Sequence, residues 1–161
     1  MKNKFLLIMT ILFTFIWMGV IFSFSNASSD VSNNGSKTII RYIVKKIYKE
    51  KSDSDIEKIV VKINKPFRKF AHASVYLVLA NFVNSVLCVF IKNKLKLCNM
   101  ICLIVCFLYA CTDEWHQTFI SHRTGQISDV FIDTFGALIG CVIFDFIYKK
   151  VKSKDIPKNN I

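Results

Sequence analysis

The sequence is poor in turn-forming residues and in negative charge. Its 161 residues hold two Pro and five Gly, too few for a protein made of many short strands and tight turns, and 11 Asp+Glu stand against 22 Lys+Arg. Low hydrophobicity, the mark of a disordered chain, is missing as well: 53% of the residues are apolar and mean hydropathy is +0.40, despite a formal net charge of +11. There is no H-E-x-x-H, no G-x-S-x-G and no phosphate-cradling glycine loop. What the chain does have is four long apolar runs with charges crowded between them. A soluble domain would spread its charges along amphipathic elements, so the expected class is an all-α, polytopic membrane protein.

The spans are expected at 5–24, 70–91, 95–112 and 127–148. Phe5 to Phe24 are twenty positions without an ionisable side chain, long enough at about 1.5 Å per residue to cross roughly 30 Å of hydrocarbon. Lys2 and Lys4 before this run and Ser25-Asn26-Ala27 after it imitate a secretory signal. The apolar stretch, however, exceeds the roughly 7–15 residues of a signal and keeps Trp17 and bulky Phe to its end. The second run contains no Asp, Glu, Lys or Arg, and the third is shorter. The fourth contains Asp129, Asp133 and Asp145, and carboxylates at membrane depth must face protein or water.

Lysines set the expected orientation. Lys2 and Lys4, then Lys92, Lys94 and Lys96, then Lys149, Lys150, Lys152, Lys154 and Lys158 fall on one side, which the positive-inside rule makes cytoplasmic together with both termini. Residues 25–69 and 113–126 are then extracytoplasmic. The 25–69 loop itself carries eleven Lys+Arg, in two stripes at helical spacing. Ile40, Ile43, Val44 and Ile47 form one; Ile56, Ile59, Val60 and Ile63 form the other, behind a capping-box pair Ser54 and Glu57. Two short basic amphipathic helices are expected, packed across the bundle mouth or lying on anionic lipid. A nucleic-acid partner is excluded, because the basic residues flank spans and no recognition motif accompanies them.

With four alternating spans, polar residues far apart in sequence reach one membrane face. Ser23, Ser25 and Asn26 end span one, and Lys69, His72 and Tyr76 begin span two at i, i+3, i+7. Asp113, Glu114, His116 and Gln117 end span three, and Arg123, Asp129 and Asp133 lead into span four. Asp129, Asp133, Gly136 and Gly140 share one side of span four, so the carboxylates continue into a small-residue stripe that should face the bundle. Asp145 lies nearly opposite and receives no role. The cysteines at 88, 98, 102, 106, 111 and 141 lie in spans, where thiols act as small packing groups; no disulfide framework is expected.

Thr112-Asp113-Glu114-Trp115-His116-Gln117, followed by Arg123, Asp129, Asp133, Gly136 and Gly140, resembles the hallmark of VanZ-like membrane proteins. Arg68-Lys69-Phe70-Ala71-His72 with Tyr76 resembles their second motif and Phe22-Ser23-Phe24-Ser25-Asn26 their first, so the likeness runs from about residue 15 to 144, and residues 1–161 are expected to form a single VanZ-like membrane domain. The chain departs from the family in having Ser121-His122 where Pro-Gly usually precedes the Arg, and Phe24-Ser25-Asn26 where Ser-Ser-Gln is usual. The resemblance implies a multi-pass bacterial membrane protein associated with lowered susceptibility to teicoplanin-type glycopeptides, without defining a reaction.

Two functions remain open for the cluster. In one, Lys69, His72 and Arg123 engage the phosphate or carboxylate of an amphipathic envelope ligand: a lipid-linked wall precursor, a lipid headgroup or a lipoglycopeptide. Asp113, Glu114, Asp129 and Asp133 hold those cations, while Tyr76, His116, Gln117, Ser25 and Asn26 complete the lining. In the other, the protein is an enzyme in which Glu114 or Asp113, with His116 and His72, moves a proton; convergence of both imidazoles with a carboxylate would also suit a divalent metal. The same charges could instead lock four helices together. A transporter is disfavoured by the lack of an internal repeat.

Overall fold

A computed structural model describes residues 2–26, 29–91, 94–120 and 123–154. Ala27, Lys92, Ser121, His122 and Lys158, used above, lie outside them, and Lys2 and Lys154 are described in backbone alone. The helices are α1 (Lys2–Asn26), α2 (Ser29–Ile47), α3 (Asp53–Phe90), α4 (Leu95–Gln117) and α5 (Ile127–Lys154). The fold is all-helical, and α1, α3, α4 and α5 are each long and apolar enough to cross a membrane.

The amphipathic loop differs from the expectation of two separate short helices. Its first stripe belongs to the nineteen-residue α2, while its second is the start of the 38-residue α3, which runs on through Pro66 into span two. The cap also differs. Ser52 caps α3: its hydroxyl accepts from the Asp55 amide at 3.2 Å and donates to the Asp55 carboxylate at 2.9 Å. Glu57, expected to serve a cap at Ser54, instead takes Arg41 of α2 at 2.7 and 3.1 Å. Once started, a helix lengthens at the cost of one residue at a time, and Phe67 packs on the hairpin core beyond the proline, which favours continuation over a break. Ile40, Val44, Ile56 and Val60 form that small core between α2 and α3, separate from the main bundle.

In the main bundle α3 packs against α1, α4 and α5. The α3–α5 interface is the tightest because glycines form it. A Cβ on Gly136 would land on the Ala73 carbonyl, and one on Gly140 on that of Leu77. Cysteines do similar work: Cys98, Cys102 and Cys106 of α4 are fully buried, Cys141 of α5 nearly so, and all six thiols are free. Cys102 donates to the Ala80 carbonyl at 3.4 Å. Midway along α1, two long-range bonds hold it to its neighbours, from the Trp17 indole N–H to the Val75 carbonyl at 2.9 Å and from the Tyr109 hydroxyl to the Met18 carbonyl at 2.7 Å. Asp145 is not idle, since Asn99 of α4 donates to it at 2.9 Å.

Replacing Gly136 by Ala should overpack this contact and destabilise the protein by about 1–3 kcal/mol, whereas Gly19→Ala, whose new methyl meets nothing within 4 Å, should be close to neutral. Thermal unfolding in detergent compares the two variants.

Candidate functional site

The hairpin end of the bundle gathers the polar residues in two layers. In the lower layer Ser25, Asp113, Glu114, Gln117 and Asp133 are buried. The Ser25 hydroxyl donates to Asp113 Oδ2 at 2.6 Å, and the Gln117 amide lies 3.1 Å from Ser25 Oγ, 3.2 Å from Asp113 Oδ2 and 3.3 Å from Glu114 Oε1. Glu114 Oε2 accepts the Gln126 backbone N–H at 2.8 Å. That bond needs Gly125, where a Cβ would sit 2.6 Å from the Glu114 carbonyl oxygen. The acid of α4 thereby anchors the segment entering α5. Both carboxylate oxygens of Asp133, Asp113 Oδ1 and the Tyr76 hydroxyl are buried and have no protein hydrogen-bond partner.

The upper layer is cationic. Lys69 pairs with Asp129 at 2.6 Å, with the two side chains about 30% exposed. Arg123 reaches the Phe24 carbonyl at 3.4 Å; among the described residues it forms no ion pair, and its buried Nε has no hydrogen-bond partner. Burial, and after it the nearby Arg68 charge, press the Arg123 pKa downward; Asp113 and Glu114 act in the opposite sense. A guanidinium stays charged throughout, so two like charges stand close together with incomplete neutralisation. Arg68 was absent from the expected set although it precedes Lys69 in the same motif. It is held by Asn33 of α2 at 3.3 Å, and Asn33 accepts from Asn64, which accepts from Ser36, each at 2.6 Å. Ser36 and Asn64 were detectable as the polar end members, first and last respectively, of the spaced-by-four stripes Ser36–Ile40–Val44 and Ile56–Val60–Asn64.

Two clefts open at this end. One, about 350 Å³, lies between α1, α2 and α3 and is lined by Ile21, Phe24, Ile39, Phe67, Val75 and other mostly apolar side chains. The other, about 110 Å³, is polar and lined by Lys65, Lys69, Gln117, Arg123, Gln126 and Asp129. Arg68 and His72 line both. Lys65 was likewise not among the expected site residues.

The structure thus brings together Ser25, Asp113, Glu114 and Gln117, and separately Lys69, His72, Arg123 and Asp129. It does not bring His116 to His72. Residues two apart on a helix are rotated about 200° from each other around its axis, and while Glu114 turns toward Gln126, the His116 ring packs against Phe22, tilted by 43° with centroids 4.5 Å apart. Asn26 is exposed, and Trp115 is 67% exposed against Phe119, so neither lines the cluster. Among the described residues no three His, Cys, Asp or Glu side chains are placed to hold a metal ion.

Four membrane-crossing helices with a buried acid network under a cationic rim define a polytopic helical membrane protein. The family model described as VanZ/LLP1 matches residues 10–148, and the chain belongs to that family. No curated protein and no solved structure matches it.

Ser25→Ala would strip the buried Asp113 of a charge-assisted bond and should cost about 1–3 kcal/mol, while Asn26→Ala should stay within about 0.5 kcal/mol. Denaturation midpoints in a common detergent measure the difference.

Proposed function

We propose that this protein binds an amphipathic envelope ligand on the extracytoplasmic face of a bacterial membrane, with the acyl chain in the apolar cleft and the phosphate or carboxylate on Lys65, Arg68, Lys69 and Arg123. The observation that carries this reading is that the apolar and the cationic cleft share Arg68 and His72, so that one molecule with an anionic head and a greasy tail can occupy both. Asp129, paired with Lys69, leaves the arginines as the under-neutralised charges. A lipid-linked wall precursor, a lipid headgroup and a lipoglycopeptide all have this chemistry. Lowered susceptibility to teicoplanin-type antibiotics would follow from occupancy of the site. Acid–base catalysis has less support, since Glu114 is engaged by Gln126 and Gln117 and His116 packs against Phe22. The exposed Ile39, Tyr42, Ile43 and Ile47 of α2, beside Lys37, Lys45 and Lys46, suit a helix lying on anionic lipid.

The full-length protein titrated with polyprenyl phosphate and with the neutral polyprenol should prefer the phosphate. Arg68→Gln should weaken that binding about tenfold or more, as expected for a lost charge-assisted hydrogen bond, and Ala71→Trp should weaken it by filling the apolar cleft. Equal affinity for the alcohol, or no effect of Arg68→Gln, rejects the reading.

Orientation has its own test. In intact cells a membrane-impermeant maleimide should label a cysteine placed at Ser121 and spare one placed at Lys94, against the background of the six native thiols. The reverse pattern turns the protein over and moves the ligand to the cytoplasm.

A further inference from the structure

Beneath the cationic rim, oxygen atoms from three helices are buried without a hydrogen-bond partner among the described residues: both carboxylate oxygens of Asp133 on α5, Asp113 Oδ1 on α4 and the Tyr76 hydroxyl oxygen on α3. Tyr76 and Asp133 are 0% exposed and Asp113 3%, so water outside the bundle does not reach them. The packing brings them to one level. Gly136 sits on the Ala73 carbonyl and Gly140 on that of Leu77, so α3 and α5 run in the same direction side by side. Helical side chains lean toward the N-terminal end of their helix. The Tyr76 ring, one turn beyond Ala73, therefore rises toward Asp133, one turn before Gly136. α4 runs the opposite way, with Cys102 against Ala80 and Tyr109 against Tyr76, ring centroids 6.1 Å apart in the second pair. Asp113, one turn beyond Tyr109, thus leans down toward the same place. Of the charged groups, Asp113 acts most strongly on both Asp133 and the Tyr76 hydroxyl.

We infer that Asp113, Asp133 and Tyr76 form a binding site for a small monovalent metal cation of the sodium kind between α3, α4 and α5, distinct from the anion site above it. The set is all oxygen and short of protons, since only the Tyr76 hydroxyl can donate and it has one hydrogen for three carboxylate oxygens. The main charges acting on Asp133 are the carboxylates of Asp113, Glu114 and Asp129 against one ammonium, that of Lys69, which Asp129 already pairs at 2.6 Å. Carboxylates buried in a span must be compensated, and a cation supplies both the missing positive charge and a partner for each oxygen. Oxygen ligands select alkali and alkaline-earth ions; the set offers no imidazole, thiol or third carboxylate for a transition metal. Calcium takes about six to eight oxygens, and magnesium keeps several of its waters. Four buried protein oxygens therefore suit a monovalent ion, which loses its water more cheaply. The bound ion would tie three spans together at the depth where the glycines bring α5 closest to α3.

Equilibrium dialysis of radioactive sodium against the full-length protein in detergent tests the inference, with thermal unfolding in sodium chloride and in choline chloride of equal ionic strength as a second readout. Sodium should bind and should raise the midpoint above that in choline. Asp133→Asn should weaken sodium binding about tenfold or more and remove the sodium-dependent part of the midpoint. Tyr76→Phe, which keeps the ring and every charge, should weaken it severalfold, and it decides the matter if Asp133→Asn does not fold. Asp145→Asn, whose carboxylate accepts from Asn99 further along α5, should leave sodium binding unchanged. No sodium binding by the wild-type protein overturns the inference, as does wild-type affinity in Tyr76→Phe or in folded Asp133→Asn. A protonated-carboxyl infrared band that Asp133→Asn removes and saturating sodium leaves in place would assign the site to a proton and overturns it too. Tighter binding of calcium than of sodium overturns the choice of a monovalent ion.

Discussion

Helices inside a bilayer gain little from hiding apolar surface from one another, because the lipid around them is equally apolar; they associate where their backbones can come close and where polar groups find partners. In this protein the closest approach is that of α5 to α3 at Gly136 and Gly140, against the carbonyls of Ala73 and Leu77. That contact sets the separation at which Lys69 can meet Asp129 and places Asp133 wholly within protein. A side chain at either glycine would move the carboxylate face of α5 away from the cations of α3. The cysteines of α4 have the same effect on its side, being small enough to let α4 close over this pair.

From this packing follows a division of labour among the charged groups. Asp113 and Glu114 are structural in their contacts: they accept from Ser25, Gln117 and the Gln126 amide and thereby tie α1, α4 and the start of α5 together. The cations above them are less completely matched. Lys69 has Asp129, but Arg68 is held by a neutral asparagine and Arg123 by a backbone carbonyl. Hydrogen bonds donated to neutral acceptors orient a guanidinium without cancelling its charge, which is how a protein keeps a cation available for an anion. The α2–α3 hairpin belongs to the same arrangement, because Asn33 reaches Arg68 from α2 and the apolar cleft opens between that helix and the bundle.

Much of this was legible from residue spacing. The four apolar runs and the buried face of α5 follow from length and periodicity, and Cys98, Cys102 and Cys106 are buried as packing groups, the role expected of thiols in a span. The convergence of Ser25 with Asp113 and Gln117 required only alternate spans. His116 is instructive in a different way: its position two residues from Glu114 already places the two on different sides of a helix, so proximity in sequence was a poor guide to proximity in space. The Ser52 cap was missed because Ser54 with Glu57 offered an equally good spacing, and Arg41 was the competing partner for Glu57.

What the amino-acid order determined by itself is the local and periodic part: which stretches are helical, which cross the membrane, and which side of each helix is polar, since these depend on hydropathy and on 3.6 residues per turn. What only the folded arrangement decided is which polar sides meet and at what depth. Arg68 joins the site because α3 does not break at Pro66 and α2 folds back on it. His116 leaves the site because Phe22 of α1 lies alongside it. Such pairings depend on the rotation and height of whole helices relative to one another, quantities that no window of sequence contains.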